Sequence, residues 1–319
     1  MNEKKFSRIV DLFLQTKDRH NNTLNMNYLL IHQNEQTYVH HFKNWNKPSD
    51  VRSISKTVMT IAFGIVKKLA KEGKYPEINE NTYIFPIIKD GITIKNEENI
   101  PKLKKVQIKH LLTHTIGFED VLLMRNDIID IDPYSLVDYV INYPIVHEPG
   151  DYYLYSNAGF YLLSVVLQEF LQEDLHTFLQ RELFEPLGIK NFTWEKYGNY
   201  IAGATRLWLM PEDLLAIGQL LLNNGKYNGR QILPASWIQK MLQINTHTKN
   251  VDTPHAIFRR YGYGYGLWLA KKNIYFGHGT DGQILAIIPE KDAIIITLSE
   301  QEDMKPIEHI VNQIIEQKL

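Results

Sequence analysis

Ser53 and Lys56 stand three residues apart in Ser53-Ile54-Ser55-Lys56, where strand-like sequence gives way to a long apolar run. A serine hydroxyl is a weak nucleophile at neutral pH and needs a base within hydrogen-bond reach. On a helix, residues three apart share a face, with Cβ atoms about 5–6 Å apart. Burial of that helix would lower the lysine pKa and make a neutral amine available as the base. The helix N-terminus adds backbone N–H groups and a positive dipole end, which suit a developing oxyanion. Taken alone, S-x-x-K arises easily by chance, and a serine cap followed by a surface lysine has the same spelling.

Two further elements could work with this pair. Tyr155-Ser156-Asn157 precedes another helix-like run. A phenol beside a lysine ammonium can be pulled below its usual pKa of about 10 and shuttle a proton. Asn157 can set its amide against a substrate carbonyl or against the lysine. In isolation, a packed tyrosine with an asparagine cap is the better explanation of the tripeptide. The third element is Gly277-His278-Gly279-Thr280-Asp281-Gly282, at a strand start. Glycines admit close backbone approach to a ligand. Such a strand edge can hold an acyl group by main-chain hydrogen bonds and supply an oxyanion N–H. Alone it is a turn between strands.

Other groups carry less chemistry. His110 and His114 have the spacing of helical zinc ligands, but no glutamate lies between them, and a metal site is not expected. His40 and His41 alternate across a strand, so they face opposite sides. Tyr261, Tyr263, Tyr265 and Trp268 surround Gly262, Gly264 and Gly266 and are read as strand packing, with some lining a cleft as the alternative. Arg206 and Trp208 precede a proline-started helix and could face the cleft.

These residues need a scaffold. Residues 6–13 repeat apolar side chains at helical spacing, and 27–32 with 37–42 read as a hairpin. Residues 58–70, 158–171, the run opened by Pro211 and 234–242 read as helices. Residues 263–270, 274–276, 284–288 and 293–298 read as strands, followed by a helix from about Pro306. The expectation is an α+β class: an antiparallel sheet built from both chain ends, flanked by terminal helices, with an inserted mainly helical lobe. The expected lobes are 1–57 with 250–319 and 58–249, the site at their junction.

The chain has 319 residues, 44% hydrophobic, with 35 basic and 36 acidic residues and no cysteine. A large core is affordable, and disulfide and thiolate chemistry are excluded. A net charge of −1 gives no footprint for nucleic acid or anionic membrane. The lysine-rich stretch 102–109 reads as a solvated face. No uncharged run approaches the roughly 20 residues of a membrane span, and the first helix is amphipathic rather than a leader. A cytoplasmic protein without membrane insertion is expected.

The three elements in this order resemble the serine β-lactamase and penicillin-binding-protein superfamily, with its S-x-x-K, Y-x-N and K-T-G-type strand. The closer likeness is to the class C-like branch, which includes esterases and D-amino-acid peptidases. Leu111-Leu112-Thr113-His114-Thr115-Ile116-Gly117-Phe118 is similar to that branch's L-L-T-H-T-S-G-L signature. Glu148-Pro149-Gly150, Glu185-Pro186-Leu187-Gly188, Asn223-Asn224-Gly225-Lys226 and Gln231-Ile232-Leu233-Pro234 match further segments, so the likeness spans roughly residues 25–300. The resemblance implies a β-lactamase/transpeptidase-like fold and an acyl-enzyme on Ser53. It implies acid/base work shared by Lys56 and Tyr155, with the oxyanion held by backbone N–H groups of Ser53 and a residue near Asp281. Asn157, His278, Gly279, Thr280 and Asp281 are then the substrate and oxyanion side. No metal or organic cofactor is implied.

Two departures stand out. His278 replaces the K-T-G lysine, and histidine is mostly neutral at pH 7. Thr280 replaces the closing glycine, so the register there can shift by a residue or two. Both favour a small-molecule or peptide-like ester or amide over a β-lactam. The alternatives are a weak β-lactamase, a D-amino-acid peptidase, or a non-catalytic penicillin-binding sensor. Natural substrate and oligomeric state are not written in the sequence.

Overall fold

Strands from both chain ends meet in one sheet. The computed structural model describes residues 1–44, 46–248 and 262–319. Helix α1 (Glu3–Gln15) leads into strands β1 (Met26–Gln33) and β2 (Gln36–His41). Helix α2 (Ser55–Lys71) follows, then α3 (Ala158–Leu171), α4 (Pro211–Leu222) and α5 (Ala235–Met241) of the helical middle. The chain returns through β3 (Gly262–Tyr263), β4 (Trp268–Leu269), β5 (Tyr275–Gly279), β6 (Gln283–Ile288) and β7 (Ala293–Ser299), ending in α6 (Lys305–Gln313).

The sheet order is β3-β4-β5-β6-β7-β1-β2, antiparallel throughout. Leu30 of β1 pairs with Ile296 on one side and Val39 on the other, which sets the first hairpin against the last strand. The expected α+β sheet from both ends is what forms. The expected lobe boundary near 250 lies outside the described residues.

Strand alternation gives the sheet two apolar faces. Leu29, Ile31, Ile284, Ala286 and Ile295 face the terminal helices, which offer Phe6, Ile9 and Phe13 from α1 and Ile307, Ile310 and Val311 from α6. Phe6, Ile9 and Phe13 are spaced by three and four residues, and Ile310 and Val311 follow Ile307 by three and four, one stripe on each helix as the sequence predicts. Tyr28, Leu30, Leu285, Ile287 and Ile296 face the interior, where they meet Val58 and Ile61 of α2 and Leu214 and Ile217 of α4. Helix α2 is buried on nearly all sides over its first twelve residues, since it runs between sheet and helical middle.

One expected strand is broken. Residues 263–270 form two short strands, β3 and β4, about a tight reversal. Gly266 sits there at φ +74°, and a Cβ on it would lie 2.2 Å from Thr60 Oγ1 and 2.6 Å from the Lys56 carbonyl oxygen. Thr57 donates to the Gly266 carbonyl at 2.7 Å. The glycine therefore lets the sheet-edge hairpin dock directly on α2. Among the described residues, no helix is long and apolar enough to cross a membrane.

Candidate active site

Ser53 lies in a 3₁₀ turn, Arg52–Ile54, that runs straight into α2. The sequence places it on the helix proper. The tighter turn keeps the same pairing, because residues three apart eclipse in a 3₁₀ turn. Lys56 Nζ is 2.9 Å from Ser53 Oγ. Ser53 is half-buried, and its turn opens onto a cleft of about 420 Å³.

Lys56 has no exposed surface. Burial alone lowers its pKa to about 7. Its Nζ also donates to Asn157 Oδ1 at 2.8 Å and to the Ala204 carbonyl at 3.2 Å. Both partners are oxygens that only accept, so a neutral amine spends its two N–H bonds on them. Its lone pair is then left for the third direction, toward the Ser53 hydroxyl. Asn157 is itself fixed, its Nδ2 donating to the Leu123 carbonyl at 2.8 Å.

Tyr155 joins this group through its ring. Lys56 Nζ stands 4.8 Å from the ring centroid. The ring stacks on Trp268 at 5.4 Å and lies 4.4 Å from His114. Trp268 belongs to β4 and Tyr155 to the helical middle, so this stack joins the two parts beside the lysine. His114 is fully enclosed, and burial, followed by the Lys56 charge, holds it well below the usual histidine range. Its Nδ1 accepts from the Ser156 N–H at 3.4 Å. His110 takes a different task, its Nδ1 accepting the Gln107 N–H at the start of its own helix. Among the described residues, no group of three or more His, Asp or Glu side chains is placed to hold a metal ion. Of the aromatic cluster, Tyr263 packs against His114 at 4.9 Å and Trp268 at 4.8 Å, while Tyr261 lies outside the described residues.

On β5 the glycines, rather than the histidine, face the Arg52–Ile54 turn that carries Ser53. A Cβ on Gly277 would touch Ile54 and Thr57, and one on Gly279 would lie 2.7 Å from Arg52 Cβ. Alternation sends His278 to the opposite face, that of Phe276 and Ile284, where Nε2 is 2.8 Å from Glu308 Oε1 on α6. The two atoms are close but out of line for a hydrogen bond. His278 therefore stands outside the cleft lining, contrary to the expectation that it meets the substrate. Thr280 and Asp281 do line the cleft, together with Ser53 and Asn157.

Arg206 lines the cleft as well, whereas Trp208 turns to the adjoining hollow and donates to Glu195 at 2.7 Å. The sequence reading passes over Arg52 and Arg125, both in the cleft wall. Asp281 Oδ2 is 3.0 Å from Arg52 Nη2 and 2.6 Å from Arg125 Nη2. It also passes over Ala204, which contributes only a carbonyl and so has no residue-type signature. Left-handed backbone marks the same place: Arg52, His114, Leu123, Arg206 and Asp281 have φ between 52° and 67°. Such conformations cost about 1–3 kcal/mol each and cluster at functional sites.

Comparisons with known proteins bear on the family and the fold. A family model described as Beta-lactamase matches residues 14–317. An N-acetylmuramyl-L-alanine amidase of Bacillus subtilis (strain 168) is 20% identical, the match covering 78% of this chain and 67% of the relative. The D-amino acid amidase of Ochrobactrum anthropi SV3 superposes with a TM-score of 0.72 at 16% identity, over 98% of each chain. EstCE1, a hydrolase with promiscuous acyltransferase activity, gives a TM-score of 0.74 at 16% identity over 97% of each chain. At these identities the superpositions speak for the fold. The family match over nearly the whole length, on a fold that seats a serine against a buried lysine, means that the chain belongs to the Beta-lactamase family and is a β-lactamase-related serine hydrolase.

Proposed function

We propose that this hydrolase cleaves an ester or amide of a small-molecule or peptide-like substrate through an acyl intermediate on Ser53. The observation that carries the reading is Lys56, buried, with two fixed acceptors and its remaining direction on Ser53 Oγ. The neutral amine takes the Ser53 proton as Oγ attacks the carbonyl carbon. The oxyanion is received by the backbone N–H groups of Ser53 and of a residue near Asp281. Collapse breaks the bond to the leaving alcohol or amine, which takes the proton back from Lys56, with Tyr155 sharing the transfer. Water attacks the acyl-serine by the same route and returns free Ser53. Asn157 holds the lysine, and Gly279 with Thr280 forms the wall against which the acyl group lies. An amine or alcohol in place of water would make the same site an acyltransferase.

The test is a screen of p-nitrophenyl esters and D-amino-acid anilides with Ser53→Ala as control, alongside labelling by a serine-reactive phosphonate. Turnover by the native enzyme and added mass on the Ser53 peptide are expected. Equal behaviour of native enzyme and Ser53→Ala would sink the reading. Labelling without turnover would favour a sensor.

A further inference from the structure

Asp281 sets a carboxylate between two arginines in the lining of the cleft. Its Oδ2 is shared by Arg52 Nη2 at 3.0 Å and Arg125 Nη2 at 2.6 Å. Arg52 directly precedes the nucleophile, and Arg125 comes from the loop on the facing side of the same cleft. Two guanidiniums converging on one oxygen are an anion site, geometrically suited to a carboxylate. Here the chain fills that site itself. The occupant cannot swing away freely, since Asp281 stands at φ +67° and its carbonyl accepts from Ser299 Oγ at 2.5 Å and from the Gln301 N–H at 3.0 Å. Arg52 is held from behind as well, Nη1 lying 2.7 Å from Asp50 Oδ2.

We propose that Asp281 is a specificity residue: a built-in carboxylate that occupies the Arg52–Arg125 site and turns away substrates bearing a carboxylate of their own. An incoming carboxylate competes with one tethered at high effective concentration. Where it fails to displace Asp281 it meets a like charge at close range. Substrate groups on this side of Ser53 are accordingly neutral or cationic. The other charges of the cleft lining are Arg206, paired with Glu195 at 3.3 Å, and the acids Asp127 and Glu302, which add no free anion site.

This inference rests on the acyl-Ser53 reading, and its test separates the two. The substrates are p-nitrophenyl hexanoate and the mono-p-nitrophenyl ester of adipic acid, equal in acyl length and different in one terminal carboxylate. Native enzyme should favour the neutral ester in kcat/KM by roughly ten-fold or more, and Asp281→Asn should narrow that ratio by roughly ten- to hundred-fold. The ratio cancels any effect of the substitution on the oxyanion side. Adding Arg125→Met to Asp281→Asn should return most of the lost discrimination. Equal preference in the native enzyme, or equal gains for both esters in Asp281→Asn, would overturn the proposal. A second arm needs no turnover: glutarate should raise the melting temperature of Asp281→Asn and leave the native enzyme unmoved. If neither ester is turned over and Ser53 resists the phosphonate, the catalytic reading falls, while the glutarate arm still decides the role of Asp281. Should Asp281→Asn not fold, the native enzyme's ester ratio decides it, with parity overturning the proposal.

Discussion

Lys56 is penalised by its surroundings whenever it is charged. With no exposed surface, its pKa falls to about 7, which leaves about half of it neutral at pH 7. For a neutral ester, kcat/KM should rise with pH through an apparent pKa near 7; a flat profile between pH 6 and 8 would count against Lys56 as base. Asn157→Asp puts a carboxylate 2.8 Å from Nζ, which favours the ammonium. That limb should move up by about 1–3 pH units, with the rate at pH 7 falling accordingly. The same burial makes a stability prediction with a definite sign. The folded value of about 7 lies below the unfolded value of about 10.4, so between them the unfolded chain holds a proton the folded one has lost. Stability contributed at this site rises with pH across that window, and below it the whole cost of a buried charge remains. Lys56→Met should cost roughly 10²–10⁴-fold in activity. It should also raise the melting temperature by about 2–6 °C at pH 6, a gain that shrinks toward pH 10 in calorimetry. Ser53, Lys56, Tyr155 and Asn157 were readable because each is a chemically distinctive side chain at a helix start. The Ala204 carbonyl was not, since any residue supplies one. Arg52 and Arg125 carry no such mark, because their convergence on Asp281 joins segments far apart in sequence.

At the scale of elements, the close fit of β5 to the turn that carries Ser53 rests on two missing side chains. The glycine spacing points to close approach, and the structure identifies the neighbours as Ile54 and Thr57 for Gly277 and as the Val51 carbonyl and Arg52 Cβ for Gly279. Alternation then fixes where His278 points, a consequence that follows from strand register and is hidden from motif matching. Gly279→Ala would place its Cβ 2.9 Å from the Val51 carbonyl and 2.7 Å from Arg52 Cβ, so strand or turn must shift. Steady-state kinetics should show kcat lowered by roughly 10²-fold with a smaller change in KM, since displacement of about 1 Å at the reacting groups has that scale. Gly91→Ala, with nothing within 4 Å of the added methyl, serves as the comparison and should change neither. The broken strand at 263–270 has a similar origin. Its apolar and aromatic content reads as one strand, but Gly266 takes a left-handed conformation and lets the hairpin reverse onto α2. The glycines were the signal, and they lost to the stronger aromatic pattern.

The molecule as a whole ties its site to its core. Lys56 sits on a helix whose first turns meet β5 and the β3–β4 hairpin, yet its acceptors Asn157 and Ala204 belong to the helical middle. Trp268 on β4 stacks on Tyr155 from that middle, and Trp237 of α5 donates to the Thr60 carbonyl on α2 at 3.2 Å. Sheet and helical middle therefore share side chains at the place where the chemistry is proposed. Neither part can bury its half of that contact alone, and strand β1, one in from the sheet edge, already needs the far end of the chain as its partner. These couplings predict that both parts unfold as one cooperative unit. In a urea titration, esterase activity and the fluorescence of the buried Trp237 and Trp268 should be lost over the same range. Trp268→Phe, which weakens the stack without emptying it, should shift both midpoints together. If activity disappears at clearly lower urea than the fluorescence change, the two parts separate before either unfolds, and the site is then held by an interface rather than by a common core.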